Sequence, residues 1–371
     1  MYIKRHLNFV IIYFYTWRMV LASLFTGILA IFVYQYLGWK WVAIPWLPMS
    51  LIGTATAFYV GFKNNQAYGR NWEARIIWGG ITNSSRSFGA AARAYINNDF
   101  AEQPVSQAKI DQEIRTLIYR HIGWVHVLKH AMAQRTSWEH EDIASKRQRK
   151  AMAKEKVPFE EQITRYLSPE EITWMKTKRN ASTQLLDRQS QHLAQLRRDG
   201  LIDNFRHVEL QKFITDFYNE QGRSERIKNT PFPRQYATTS LIYIFMFIVL
   251  LPFGMIGEFV KLGETMLWLL IPFNLVVTWV FMLMEYTGDV SENPFEGLIN
   301  DVPLRSIVRT IEIDLRDMLG EANLPEKIQP DFSQQPRAGV ALPLRFHCAA
   351  ERPLRPFPAR LKLPTEPVKR R

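Results

Sequence analysis

Four stretches of the chain run apolar with no charged residue, at positions 19–37, 42–62, 236–257 and 265–284. A helix needs roughly 20 such residues to cross a bilayer core ~30 Å thick, and each stretch is of that length. One such run could be a core helix of a soluble protein; four in one chain point to membrane spans. Between the second and third, residues 63–235 change to a mixed pattern. Positions 72–96 carry apolar residues at helical spacing, with small Gly79, Gly80, Gly89 and Ala90 that allow close packing. Positions 110–132 are a second amphipathic helix, and 184–221 read as one or two more, interrupted near Gly200. Ser168-Pro169-Glu170-Glu171 has the marks of a helix start: a capping Ser, Pro in the first turn and early acids. The stretch 134–156, with its KRQRK run, is expected to be a solvated helix or a loose insertion. After the fourth span, 304–319 is amphipathic, and from 334 the chain turns Pro- and Arg-rich without period.

These patterns predict an all-α protein: a four-span transmembrane helical domain continuous with a helical cytoplasmic domain. The expected divisions are 1–63 (spans one and two), 64–235 (cytoplasmic helices), 236–287 (spans three and four), 288–333 (a C-terminal helical segment) and 334–371 (a basic, disordered tail).

Composition supports the membrane reading. The chain of 371 residues has 11 Trp, 14 Tyr and 23 Phe, and interfacial belts draw heavily on Trp and Tyr. Its net charge of +12 lies outside the apolar runs. Attraction to anionic lipid headgroups explains that charge without nucleic acid. Cys348 is the one cysteine, so no intrachain disulfide forms. The first apolar run lacks a small-residue cleavage pattern and is followed by further spans, so it reads as a span and not a secretory leader. Lys4, Arg5 and Arg18 flank span one, and Lys63, Arg70 and Arg75 follow span two, whereas the two short links carry only Lys40 and Lys261. The positive-inside rule then puts both termini and the middle region in the cytoplasm.

Candidate chemistry is sparse. There is no Gly-rich phosphate loop, nucleophile elbow or HExxH motif, and neither a cofactor nor an enzymatic activity is expected. His126 and His130 share a helix face but lack an evident third ligand, so no metal site is expected. Glu285 and Asp289, one turn apart at the end of span four, read as boundary residues. No inverted repeat or charged midplane residue suggests a carrier.

Span two differs from the others. Pro45 and Pro48 are expected to disturb its helix ladder, which is tolerated where neighbours or a water-lined path satisfy the freed groups. Thr54, Phe58 and Phe62 follow at intervals of four, on one stripe. Such a stripe either packs against neighbouring helices or, in a symmetric assembly, lines an axis where Phe rings gate by dewetting. Asn64 and Asn65, just below, either offer polar groups to a passing ion or are hydrated surface. Arg70 is expected to snorkel at the membrane edge, and Trp72 to sit at headgroup level or between subunits.

Phe58-Tyr59-Val60-Gly61-Phe62, followed by Asn64-Asn65, Tyr68, Arg70, Trp72, Glu73-Ala74-Arg75 and Trp78-Gly79, resembles the bestrophin family, in particular its bacterial branch. Three further pieces agree in order: Gly200-Leu201-Ile202, then Arg226 to Pro233, then Asn293-Pro294-Phe295 with Asn300 to Leu304. The resemblance covers roughly residues 1–320. It implies a homopentamer in a bacterial inner membrane with one central ion path, whose neck is formed by Thr54, Phe58 and Phe62. Thr54 stands where the family usually has an aliphatic residue, so a wetter upper neck is expected. A second, cytoplasmic aperture is implied at Phe205, larger than the family's usual Ile. Animal members hold calcium on an acidic run after Asn-Pro-Phe. Here Glu296-Gly297-Leu298-Ile299-Asn300-Asp301 offers too few carboxylates for the 6–8 oxygens calcium takes. The implied function is a passive channel for small monovalent ions, whether chloride-like anions or cations; the alternatives are a membrane-embedded carrier or enzyme, or a scaffold with a cytoplasmic interaction domain.

Overall fold

A computed structural model describes residues 9–142, 145, 146, 149, 157–298 and 300–328, with side chains from Thr16 onward. The expected tail from 334 lies outside the described residues. The described elements are all helical. Besides a π turn at Phe32–Tyr36 and 3₁₀ turns at Lys40–Val42 and Glu264–Leu269, they are α1 (Phe9–Ile31), α2 (Trp46–Tyr95), α3 (Gln107–Ala133), α4 (Phe159–Ile163), α5 (Pro169–Lys176), α6 (Ala181–Arg198), α7 (Asn204–Asn229), α8 (Arg234–Lys261), α9 (Leu270–Asp289) and α10 (Leu304–Met318). Four are long and apolar enough to cross a membrane: α1, α2, α8 and α9 with its leading turn.

The largest departure from the sequence reading is α2. It is one helix of 50 residues, where two separate helices, 42–62 and 72–96, were expected. At ~1.5 Å per residue it runs ~75 Å, enough to cross a bilayer core and continue well past it. Its prolines do not break it. Pro45 is the N-cap residue and Pro48 stands in the first turn, where a backbone N–H has no intrahelical acceptor to lose. The interior glycines weaken an isolated helix, but α8 and α9 pack along its first half and α7, α10 and α3 along its second.

In the apolar layer α1 lies on α9, and α2 lies on α8 and α9. Close approach is built from glycine: a Cβ on Gly53 would stand 2.7 Å from the Phe247 ring, and one on Gly254 2.5 Å from Met49. Asn274 of α9, fully buried, donates its amide N–H to the Ser23 carbonyl of α1 at 2.9 Å, a polar tie between the two helices in an apolar setting. Trp39, Trp41 and Trp46 stay exposed at one end of this layer, Tyr236 is exposed at the start of α8, and Trp17 is exposed where the apolar span of α1 begins, as headgroup-level aromatics are.

The second layer has its own core, in which α2, α3, α6, α7 and α10 meet around Trp78, Phe88, Leu117, Trp124 and Phe217. The expected start at Ser168 carries a full capping box. The interruption near Gly200 is a turn between α6 and α7 with φ +70°, a conformation that suits glycine. The amphipathic 304–319 stretch forms α10. Its Glu312 is buried and accepts the Tyr166 hydroxyl proton, with Arg309 and Arg316 at 3.4 and 3.8 Å.

Two further expectations are corrected. The described part of 134–156 is not loose: Glu139 is buried against Lys228, and Ser145 is buried too. Charge pairing draws in a segment whose composition reads as solvated. Arg70 does not snorkel; it donates to the carbonyls of Ile227 (2.6 Å) and Thr230, so it satisfies the C-terminal end of α7.

Candidate functional site

On α2 the buried positions Gly53, Thr56, Val60, Lys63, Ala67, Asn71 and Ala74 form one face. The opposite face is an unbroken exposed stripe: Leu47, Leu51, Thr54, Phe58, Phe62, Asn65, Gly69, Trp72 and Ile76 recur at three- and four-residue steps. Phe58 is 68% and Phe62 56% exposed, although both belong to the apolar layer where a lone protomer has neighbours available to cover them. Their rings meet edge to face with centroids 4.6 Å apart. Tyr59, one position on, turns away and meets Tyr243 and Tyr236 of α8. Thr54 is exposed, and its hydroxyl donates back to the Ser50 carbonyl at 2.8 Å. Its proton is spent within the helix, so the residue presents a methyl and an acceptor oxygen, less wet than a free hydroxyl.

The two asparagines part company. Asn65 is exposed on the stripe, three residues after Phe62. Asn64 points into the bundle: its amide donates to the Met284 carbonyl at 2.9 Å, and Gly288 makes room for it.

Phe205 is the second residue of α7 and is 83% exposed. Its placement follows from the Gly200-Leu201-Ile202 motif. Leu201 and Ile202 are buried, and the Leu201 carbonyl accepts the Asn97 N–H at 3.1 Å just past the end of α2. A Cβ on Gly200 would stand 2.7 Å from the Phe100 carbonyl oxygen, so the turn is pressed onto that backbone. Asp203 then caps α7, and Arg206 reaches back to the Tyr95 carbonyl and to Asn97 and Asp99. Phe205 is left projecting near the far end of α2. From Phe62 to that end is 33 residues of helix, or ~50 Å.

A charged hub, invisible in the sequence, closes the C-terminal end of α9. Glu285 is buried and paired with Lys63 of α2, while its second oxygen accepts the Ser240 hydroxyl of α8 at 2.6 Å. One turn on, Asp289 faces His140 Nε2 at 3.1 Å, and His140 Nδ1 faces the fully buried Glu296 at 2.9 Å. With a carboxylate at each ring nitrogen both must donate, so the ring is an imidazolium. Burial disfavours that charge, but the two hydrogen bonds and the carboxylate charges outweigh it and push the pKa up from 6.5 to about 10. Asp301, fully buried, is pushed up to about 7 by burial, against backbone hydrogen bonds that favour its ionised form. Lys63, read in the sequence as an interfacial charge, and Glu285, read as a boundary residue, are thus partners 222 positions apart.

The donor set here does not fit calcium. Glu296 already takes His140, Arg149 and the Asn293 amide, and Asp301 takes the Leu298 N–H. The oxygens face proton donors that leave a hard cation little room. Among the described residues no group of His, Cys, Asp or Glu is placed to hold a metal ion. His126 lies 3.7 Å from Glu312, and His130 stacks on Phe159 with centroids 3.9 Å apart, so the two are packing residues.

Comparison with known proteins gives a consistent result. The family model described as bacterial/fungal bestrophin protein matches residues 10–317. The chain is 27% identical over 322 residues to the voltage-dependent anion channel-forming protein YneE of Escherichia coli (strain K12), spanning 86% of this chain and 91% of that protein. It is 26% identical over 285 residues to the voltage-dependent anion channel-forming protein RSc3414 of Ralstonia nicotianae, spanning 76% of this chain and 79% of the relative. Among solved structures it is similar to a bacterial bestrophin homolog from Klebsiella pneumoniae, with a TM-score of 0.68 at 22% identity, over 82% of this chain and 98% of the other. That likeness is one of fold.

Proposed function

Since the chain belongs to the bacterial/fungal bestrophin family, we propose that it assembles as a homopentamer around a single ion path lined by the exposed stripe of α2. The protein is a multi-pass membrane protein and an ion channel, not an enzyme. In the proposed assembly Phe58 and Phe62 form an apolar neck, with Thr54 above and Asn65 below, and Phe205 forms a second aperture at the cytoplasmic end. Both termini lie in the cytoplasm of a bacterial cell, and the basic flanks meet the headgroups of the inner membrane.

The observation that carries this reading is the stripe itself. A lone protomer leaves Phe58, Phe62, Trp72 and Ile76 more than half exposed along one line of a single helix. Lipid could cover the first two, but the line continues past the apolar layer, where only other protomers or an axis can account for Trp72 and Ile76. Five copies of such a line around an axis make apolar rings, which bar ions by dewetting and set little charge preference. The stripe carries no charged side chain from Leu47 to Ile76. We assign small monovalent anions as the permeant class, following the anion-channel names of the relatives.

The test is purified protein in a planar bilayer under asymmetric KCl. We expect single-channel currents, a reversal potential on the anion side, and a larger conductance or open probability for Phe58→Ala. No current from intact oligomers would end the channel reading, and a cation-side reversal would end the anion assignment.

A further inference from the structure

We propose that Lys63, Glu285 and Ser240 form a positioning lock for the neck, which fixes the rotation of α2 about its own axis and so aims Phe58 and Phe62 into the ion path. The proposal rests on the reading of the α2 stripe as the pore lining.

Lys63 directly follows Phe62. In a helix of 3.6 residues per turn the two side chains point ~100° apart, and Lys63 and Phe58 ~140° apart. To hold one direction is to hold the others. Lys63 is held: its side chain is 1% exposed and its ammonium meets the Glu285 carboxylate of α9. Glu285 is in turn fixed by the Ser240 hydroxyl of α8, itself fully buried. The ammonium of the pore helix is therefore referred to two different helices of the outer shell. Asn64 adds a second tie one residue on, to the Met284 carbonyl of α9.

Elsewhere in this layer the contacts of α2 are apolar, such as Gly53 on Phe247 and Met49 on Gly254. Apolar packing is non-directional and tolerates a small rotation. A buried ion pair does not, because a partner that swings away leaves an uncompensated charge in a low-dielectric site. The polar tie at the inner end of the neck thus determines which rotation α2 adopts, while the apolar contacts permit several. The simpler role, a pair that only stabilises the bundle, would leave the aim of Phe58 unchanged whenever the oligomer forms.

That difference sets the experiment. In a Cys348→Ser background carrying Phe58→Cys, the rate of modification by a water-soluble thiol reagent is read by mass spectrometry. Open probability is read in parallel in channels that keep Phe58. Three changes are compared: Ser240→Ala, which removes one hydrogen bond and no charge; Glu285→Gln; and the exchange Lys63→Glu with Glu285→Lys. Assembly is checked by size exclusion. We expect Ser240→Ala to alter both readouts at least threefold, Glu285→Gln at least tenfold where it assembles, and the exchange to return both to within threefold of the parent. Ser240→Ala oligomers with parental labelling rate and open probability would overturn the proposal, even if Glu285→Gln failed to assemble. A parent protein that passes no current fails the channel reading instead, and the labelling rates still decide whether the lock exists.

Discussion

The His140 latch permits a prediction with a sign and a size. His140 joins the segment after α3 to Asp289 at the end of α9 and to Glu296 beyond it. Arg149 also faces this cluster, donating to the His140 carbonyl and approaching Glu296 at 3.6 Å. Asp142, Glu292 and Lys63 act on it through the charges of its partners. The folded-state pKa is raised, from 6.5 to about 10, so the latch stabilises fully below pH 6.5, weakens as pH rises, and is lost as the ring deprotonates near 10. At ~1.4 kcal/mol per pH unit, that interval corresponds to on the order of 5 kcal/mol. The ring is only 16% exposed, but Asp289 is 45% exposed and screened by solvent, so about half of that value is expected in practice. The perturbation is His140→Gln, which keeps a polar side chain and removes the titration. The assay is thermal unfolding of detergent-solubilised protein at pH 6, 8 and 10.5, parent against variant. The parent should be several degrees more stable at pH 6, less so at pH 8, and equal above pH 10. A gap that stays constant or widens with pH would refute the imidazolium assignment, because other titrating groups are common to both proteins.

Three further outcomes follow from contacts already described. Gly53→Val should cost about 1–3 kcal/mol through overpacking, because its Cβ would stand 2.7 Å from the Phe247 ring; a melting temperature equal to that of the parent would show that the helices spread without strain. Glu312→Ala leaves Tyr166, Arg309 and Arg316 without their shared carboxylate and should cost about 3–5 kcal/mol. Limited proteolysis should then cut at α10, and parental resistance would contradict its anchoring role. Addition or chelation of calcium should leave the current unaltered, since Glu296 and Asp301 are already committed to proton donors; a strong response would overturn the reading of this turn.

Much of the fold was legible from local signals. The four spans follow from uncharged length, the α5 start from its capping box, and the α6–α7 turn from Gly200. What escaped had non-local causes. The length of α2 depends on helices that lie against it and come later in the chain, while its own prolines and glycines argue locally for breaks. Lys63 looks like any interfacial lysine until Glu285 and Ser240 are brought beside it. His140 sits in a stretch so polar that composition favours solvent, and only the paired acids at 289 and 296 explain its burial. At the candidate site the periodicity of Thr54, Phe58 and Phe62 was plain in the sequence. It could not separate Asn64, which faces α9, from Asn65, which does not.

The central claim is that the exposed stripe of α2 lines the ion path. Cysteine accessibility tests it directly, and the single native cysteine makes the background simple. With Cys348→Ser, cysteines are placed singly at Thr54, Phe58 and Phe62 on the stripe and at Thr56 and Val60 on the buried face. Currents are followed while a charged thiol reagent is applied. The stripe positions should react and change the current, and Thr56→Cys and Val60→Cys should not. Currents that respond at Thr56 and Val60 but not at Phe58 and Phe62 would contradict the account.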